Sequence, residues 1–175
     1  MISQTAHFPG VNPERLYAAF LTAADHAAMT GNGTAQVTFE HPDGTPTDTP
    51  AAGDRLLAFG SPNPDGTISY RLTATLLDLV SSERIVMSWR TAAWEAATSP
   101  AEADPQGTSI VVLHFVANPA GAEIRLDQSG VPGFTVHLPD TGEHGPLEAI
   151  VNTHWNLLYW EPMRRLFGRT DGTAA

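Results

Sequence analysis

The 175-residue sequence contains neither cysteine nor lysine. Without cysteine the chain can form no disulfide, no thiolate metal site and no cysteine nucleophile. All nine basic residues are arginine, which also excludes catalysis through a lysine Schiff base and a lysine-containing phosphate loop. The motifs of serine hydrolases, zinc proteases and calcium loops are missing as well. Any chemistry must therefore come from histidine, tyrosine, hydroxyl or carboxylate side chains.

Positive charge is scarce, since 9 basic residues against 19 acidic ones give a formal net charge of −10. Nucleic acids and anionic membranes attract basic surfaces, so we expect neither as a partner. Apolar runs stay below the roughly 18 residues of a membrane span, and the first residues lack the features of a signal peptide. We therefore expect a cytoplasmic protein with one domain over residues 1–168 and a disordered tail over 169–175.

One segment, Leu147 to Phe167, has helical periodicity long enough to cover a sheet. At about 100° per residue its apolar residues fall on a single stripe, and Gly168 marks the expected end. Pro162 cannot donate to the carbonyl of Leu158, so we expect a kink there. The stripe consists of Leu147, Val151, Trp155, Leu158, Pro162 and Leu166.

Trp160 lies about 180° from Val151 on the same helical wheel, with Leu157 partly on the same side. An exposed tryptophan beside a leucine is typical of an interface anchor. We therefore predict a symmetric homodimer through Leu157 and Trp160. In the alternative interpretation, the kink or the loop at residues 92–107 covers Trp160 within one chain.

The N-terminal part predicts a short strand over Thr5 to Val11, followed by two short helices. Asn12 is the expected N-cap of the first helix, with proline at the next position. Thr22 is the expected cap of the second helix, Ala23 to Met29. From Thr34 onward the hydrophobic period changes to two residues, which predicts strands.

These strands are separated by long loops at residues 40–53, 92–107 and 131–145, of which the first and the last are rich in proline and glycine. The hairpin Thr108 to Gly130 has the clearest register, because its turn falls at Pro119 and Ala120. His114 shares its face with charged residues, so we expect it on the solvent side. The predicted cross-strand pairs are Phe115 with Ile124, Leu113 with Leu126 and His114 with Arg125.

The last loop contains four residues of types that bind metal ions: His137, Asp140, Glu143 and His144. Loop ligands at irregular spacing are a weak signal. We therefore expect no metal site, and no motif in the sequence indicates a cofactor.

Four stretches in fixed order resemble a known family: VNPERLYAAFLTAADHAAMTG (11–31), RIVMSWR (84–90), DQSGVP (127–132) and HWNLLYWEPMRRLF (154–167). The sequence is similar to the activator of heat-shock protein 90 ATPase homologue-like branch of the START, or SRPBCC, superfamily. The resemblance implies an α+β helix-grip fold. In this fold a curved antiparallel sheet and two short N-terminal helices accompany a long C-terminal helix that crosses a cavity. The three enlarged loops, and His154 where the family usually has glycine, are departures.

The resemblance implies three functions, between which the fold does not decide. The first is binding of a small, largely apolar molecule between helix and sheet. The second is acid–base catalysis in the same cavity, as in a cyclase, aromatase or dehydratase, and the third is a co-chaperone-like interaction with another protein.

A long helix that crosses a curved sheet leaves room for a ligand among large aromatic side chains, although the same side chains could simply fill a core. We predict His26 as a polar group near the cavity mouth, although it could equally cap its own helix. For catalysis we name His26 and Tyr159, with His154 next on the helix edge. The predicted ligand-binding residues are His26, Phe39, Phe59, Tyr70, Met87, Trp89, Trp94, Phe115, Trp155, Leu158 and Tyr159.

Overall fold

A computed structural model describes residues 1–30, 35–60, 71–91, 108–133, 135–138 and 142–168. Its strands are β1 (Ile2–Pro9), β2 (Gln36–Glu40), β3 (Arg55–Phe59), β4 (Arg71–Val80), β5 (Arg84–Thr91), β6 (Ser109–Asn118), β7 (Gly121–Ser129), β8 (Thr135–Leu138) and β9 (Glu143–Pro146). Its helices are α1 (Pro13–Leu21), α2 (Ala23–Met29), α3 (Leu147–Trp155) and α4 (Glu161–Phe167), and the π-helical turn Asn156–Trp160 joins the last two. None of the described helices is long and apolar enough to cross a membrane.

Seven strands form one antiparallel sheet in the order β1-β7-β6-β5-β4-β3-β2. Alternate residues along each strand are buried, as expected for a sheet with one covered face. We call the covered side the inner face. The predicted α+β class and antiparallel meander are confirmed.

The register predicted for the β6–β7 hairpin is confirmed in all three pairs: Phe115 with Ile124, Leu113 with Leu126, and His114 with Arg125. In the neighbouring pair of strands, Leu76 of β4 lies opposite Met87 of β5. His114 lies on the outer face, which leaves it partly exposed.

The prediction that Phe59 lines the inner face is wrong. In β3 the buried residues are Leu56 and Ala58, whereas Phe59 lies on the outer face, where the Arg71 guanidinium sits 5.9 Å from its ring centroid. Both faces of this strand carry apolar residues, so the period-two pattern alone did not show which face is turned to the core.

The two short N-terminal helices begin and end close to the predicted positions. The Asn12 side chain accepts a hydrogen bond from the backbone N–H of Arg15 at 2.8 Å, so Asn12 is the N-cap of α1. Thr22 occupies the N-cap position of α2 without capping it, because its hydroxyl donates back to the carbonyl of Ala18. The first strand starts earlier than predicted, at Ile2, where it pairs along β7.

Residues 131–145 are not a simple loop as predicted, because β8 and β9 form a separate two-stranded hairpin within them. Val136 is buried on one side of this hairpin, whereas its neighbours Thr135 and His137 are exposed. Proline and glycine in this stretch concealed the strands in the sequence.

The helical segment from Leu147 to Phe167 is present, and Pro162 disturbs it through the π-helical turn that precedes it. At the end of that turn, the Glu161 N–H donates to the carbonyl of Asn156, five residues back. In a regular helix the ring of Pro162 would clash with the carbonyl of Leu158, and a wider turn at this point is a recognised way to accommodate a proline.

The π-helical turn also explains why the prediction of an exposed Trp160 is wrong. The turn takes up one extra residue, so Trp160 lies about 80° from Val151 instead of 180°. Its side chain is 1% exposed, and its indole N–H donates to the side-chain oxygen of Gln4 in β1. The predicted dimer surface loses Trp160, whereas Leu157 is 46% exposed. A homodimer through Leu157 remains a prediction.

A close approach between β1 and β7 makes Gly121 the hardest to substitute of the glycines in the described part of the chain. A Cβ atom there would lie 2.5 Å from the Phe8 carbonyl oxygen and 2.6 Å from the Gly10 nitrogen, and its φ is +150°. We expect Gly121→Ala to lower the free energy of unfolding by about 3–5 kcal/mol. The atoms that the new Cβ would meet belong to the backbone, so they cannot move away as a flexible side chain would. Urea unfolding measures this loss.

The matched control is Gly10→Ala. Gly10 has φ +75° and no atom within 4 Å of the added Cβ, so this change should cost only about 1–2 kcal/mol of backbone strain. Equal losses in the two variants would show that the contact between β1 and β7 is looser than described.

Candidate functional site

His26 of α2 is fully buried, and it connects the N-terminal helices to the C-terminal helix. Its Nδ1 lies 2.8 Å from the carbonyl oxygen of Phe20, and its Nε2 lies 3.0 Å from the hydroxyl oxygen of Tyr159. The Phe20 carbonyl belongs to the last turn of α1, where carbonyls have no partner within the helix. His26 therefore caps the preceding helix, not its own. A position near a cavity mouth remains a prediction.

These two contacts fix the tautomer of His26. A carbonyl oxygen only accepts, so Nδ1 carries the proton and donates to Phe20. The unprotonated Nε2 then accepts the hydrogen of the Tyr159 hydroxyl. Burial lowers the pKa of His26 to about 4, although the hydrogen bond to Phe20 acts in the opposite direction. At neutral pH the site therefore contains a neutral imidazole that holds a tyrosine hydroxyl.

Aromatic rings surround this polar pair. Tyr159 stacks on Phe20 with ring centroids 5.9 Å apart, and its ring lies 4.9 Å from that of Trp155. Trp155 stacks on Trp89 at 4.6 Å, so these two predicted cavity walls touch each other and leave no space for a ligand between them. We call the set around His26 the aromatic cluster: Phe20, Phe39, Trp89, Phe115, Trp155, Tyr159 and Trp160.

A buried chain of hydrogen bonds ties the cluster to the sheet. The Trp155 indole N–H donates to the Gln128 side-chain oxygen at 2.8 Å, and the Gln128 amide N–H donates to the Ser109 hydroxyl at 2.7 Å. Ser109 in turn donates to the backbone carbonyl of Trp89 at 3.0 Å. This chain satisfies the polar groups that the long helix brings against the sheet.

Sequence reasoning missed this chain. Gln128 and Ser109 both have the inner-face parity of their strands, alongside Leu126 and Val111, yet both are polar and fully buried. Such a residue in an otherwise apolar alternation signals a hydrogen-bond partner on the covering element.

The remaining predicted residues are divided among three settings. Phe39, Met87 and Phe115 are buried in the core, and Leu158 packs against it while partly exposed. Phe59 faces outward, as described above. Tyr70 and Trp94 lie outside the described residues, as does the tail 169–175.

A separate cleft of about 610 Å³ lies where the N-terminus meets the start of α3. Met1, Ser3, Pro132, Glu148 and Asn152 are among its lining residues, and none of its lining residues is a predicted site residue. The amino group of Met1 pairs with Glu148 at 3.0 Å beside this cleft. Among the described residues, no group of three histidine, aspartate or glutamate side chains could hold a metal ion.

The antiparallel sheet covered by a long C-terminal helix, with two short N-terminal helices, defines an α+β protein of the helix-grip, START-like class. The family described as Activator of Hsp90 ATPase homolog 1-like protein matches residues 10–138. The chain therefore belongs to this family, as its sequence resemblance implied. No curated protein matches the chain.

Solved structures share this fold at low sequence identity. An HSP90 activator from Plasmodium falciparum has a TM-score of 0.60 and 16% identity, covering 95% of each chain. A Rhodobacter sphaeroides protein has a TM-score of 0.60 and 18% identity, covering 98% of this chain and 92% of its own. The Aha1 dimer from Colwellia psychrerythraea has a TM-score of 0.53 and 13% identity, covering 90% of each chain. These identities show the fold alone, so the co-chaperone hypothesis remains a prediction.

The buried His26 should make stability depend on pH. Between pH 6.5 and about 4 the unfolded chain binds a proton on this histidine that the folded chain does not bind. The free energy of unfolding should therefore fall as the pH falls through this window, by on the order of 3 kcal/mol from His26 alone. Urea unfolding at pH 7 and pH 4.5 measures the loss.

His26→Gln is the matched variant, because an amide can also donate to Phe20 and accept from Tyr159 but does not titrate. The variant retains every carboxylate. Its free energy of unfolding should therefore fall less than that of the wild type between pH 7 and pH 4.5, and the difference is the contribution of His26. If wild type and variant lose equal stability, the low pKa assigned to His26 is incorrect.

Proposed function

We propose that this domain binds a small, largely apolar molecule carrying one hydrogen-bonding group, at the aromatic cluster around His26 and Tyr159. The observation that carries the proposal is the fully buried pair of His26 Nε2 and the Tyr159 hydroxyl, 3.0 Å apart among aromatic rings. Ligand sites typically combine an apolar lining with a few convergent polar groups and a shifted pKa.

A buried polar pair is a costly way to fill a core. Imidazole and phenol groups lose hydration on burial, and a hydrogen bond between them returns only about 1 kcal/mol net. Leucine or phenylalanine at both positions would fill a core without this cost. The cost is understandable if the pair also recognises a polar group on a ligand.

The π-helical turn supports the same location. Tyr159 and Trp160 both lie in this turn, which breaks the regular hydrogen bonding of the helix beside the polar pair. Such turns are frequent at functional sites. Pro162 also favours this turn, so the turn is weaker evidence for a ligand site than the buried polar pair.

Binding requires rings that now touch to separate. Trp89 and Trp155 stack directly, and Trp155 also stacks on Trp160 at 5.3 Å. A ligand would replace these ring–ring contacts with its own apolar surface and would place its polar group at Tyr159. Binding should therefore change the tryptophan environment, which makes fluorescence a direct readout.

We expect a panel of polyketide, lipid and aromatic metabolites to contain ligands that change tryptophan fluorescence. Tyr159→Phe should weaken their binding about tenfold, because it removes one hydrogen bond of about 1.4 kcal/mol in a buried site. Tyr17→Phe is the control: it removes a tyrosine hydroxyl from a ring packed edge-on to Phe115, at the border of the cluster, and it leaves the hydrogen bond between His26 and Tyr159 intact.

Two results would contradict the proposal. One is that no compound in the panel changes the fluorescence. The other is that ligands bind Tyr159→Phe and Tyr17→Phe with the affinity of the wild type.

A second candidate is acid–base catalysis in the same place, of the kind that a cyclase, aromatase or dehydratase uses. The observation in its favour is the unprotonated Nε2 of His26 directly opposite the Tyr159 hydroxyl. With a carbonyl ligand bound, the imidazole could accept a proton from the carbon next to the carbonyl while the hydroxyl donates to the oxygen.

Deuterium exchange into enolisable carbonyl compounds that bind, followed by mass spectrometry, tests this candidate. We expect exchange with wild type and none with His26→Gln, which retains hydrogen-bonding groups without a basic nitrogen. Equal exchange in both proteins would remove His26 as the base, and binding without any exchange would leave the domain as a ligand-binding protein.

A further inference from the structure

Two histidines face each other across the separate hairpin β8–β9. His137 pairs with His144 in the antiparallel register, so both side chains project from the same face of the hairpin. Their ring centroids are 6.1 Å apart with an interplanar angle of 51°, and both residues are exposed. Val136 anchors the opposite face in the core with 3% exposure.

This spacing suits two imidazoles that share one metal ion. A ring nitrogen binds zinc at about 2.0–2.1 Å, which places each ring centroid about 3.2 Å from the ion. Two rings on one ion therefore have centroids about 4.5 Å apart at a right angle, about 5.2 Å apart at the tetrahedral angle of zinc and about 6.4 Å apart when they lie opposite each other. The 6.1 Å between His137 and His144 is within about 1 Å of the tetrahedral value. Rotation of the two exposed side chains can close this difference without any change in the backbone register.

The surroundings also favour a bound cation. The chain carries a net charge of −10, which attracts cations to its surface. A two-stranded hairpin on its own is only marginally stable in water, so a link between its strands would stabilise it. The second strand ends at Pro146, directly before Leu147 begins α3, so such a link would also fix the entry to the long helix.

Although the sequence pattern alone predicted no metal site, we propose that His137 and His144 form a two-ligand site for a divalent transition-metal ion of the zinc, nickel or copper type, which stabilises the β8–β9 hairpin. Imidazole is a preferred ligand of these ions, whereas magnesium and calcium prefer oxygen. Water completes the coordination. The site is separate from the aromatic cluster, so its test does not depend on the proposed ligand.

Isothermal titration of Zn²⁺ into the full chain tests the site directly. We expect one ion per chain with a dissociation constant on the order of 10–100 µM, since two ligands supply about half the binding free energy of four-ligand zinc sites. His137→Ala and His144→Ala should each weaken binding at least tenfold. Both residues are exposed, so circular dichroism should show the fold unchanged.

His114→Ala is the matched control, because it removes a histidine that lies opposite Arg125 and should leave the affinity unchanged. Two other histidines lie beside carboxylates, namely His7 with Glu123 and His41 with Asp54, and they are the competing sites. Amide resonances broadened by Cu²⁺ should centre on residues 135–138 and 143–145. Unchanged affinity in His137→Ala or His144→Ala, or broadening centred on His7 or His41, would overturn the proposal.

Discussion

Trp155 packs against the inner face of the sheet and thereby sets the position of the long helix and of the side chains around it. Its ring stacks on Trp89 of β5 and on Trp160, and its indole N–H ends the buried chain through Gln128 and Ser109. Apolar contact supplies the driving force, but it does not by itself fix how the helix is rotated. The hydrogen bond from Trp155 to Gln128 fixes this rotation, because any other rotation would leave the buried side-chain oxygen of Gln128 without a donor.

Rotation of the helix in turn determines which side chains meet inside. With Trp155 fixed, the π-helical turn brings both Tyr159 and Trp160 to the covered side. Tyr159 then reaches His26 of α2, and Trp160 reaches Gln4 of β1. Gln4 also donates to the backbone carbonyl and side-chain oxygen of Asn152, so the edge strand and the helix are held at two points. The proposed ligand site is a consequence of this rotation.

The polar pair also connects stability to function. A neutral His26 at the centre of the domain holds the end of α1 and the hydroxyl of Tyr159 at the same time. Any ligand that engages Tyr159 must therefore compete with a contact that stabilises the fold. This coupling favours ligands whose apolar surface compensates for the separated rings, because the polar exchange alone gains little free energy.

Three local features could be predicted from the sequence: Asn12 as a helix cap, the register of the β6–β7 hairpin, and the long apolar stripe from Leu147 onward. These depend on neighbours along the chain or on a single turn. The sequence also named His26 and Tyr159, but not their contact, which joins residues 133 positions apart. Tertiary structure alone decided that contact, the inward turn of Trp160, the outward face of Phe59 and the pairing of His137 with His144. Each depends on which side a helix or strand presents to the core. An extra residue in a helical turn, or a shift of one residue in a strand, changes which side faces the core. Neither change alters the local sequence pattern.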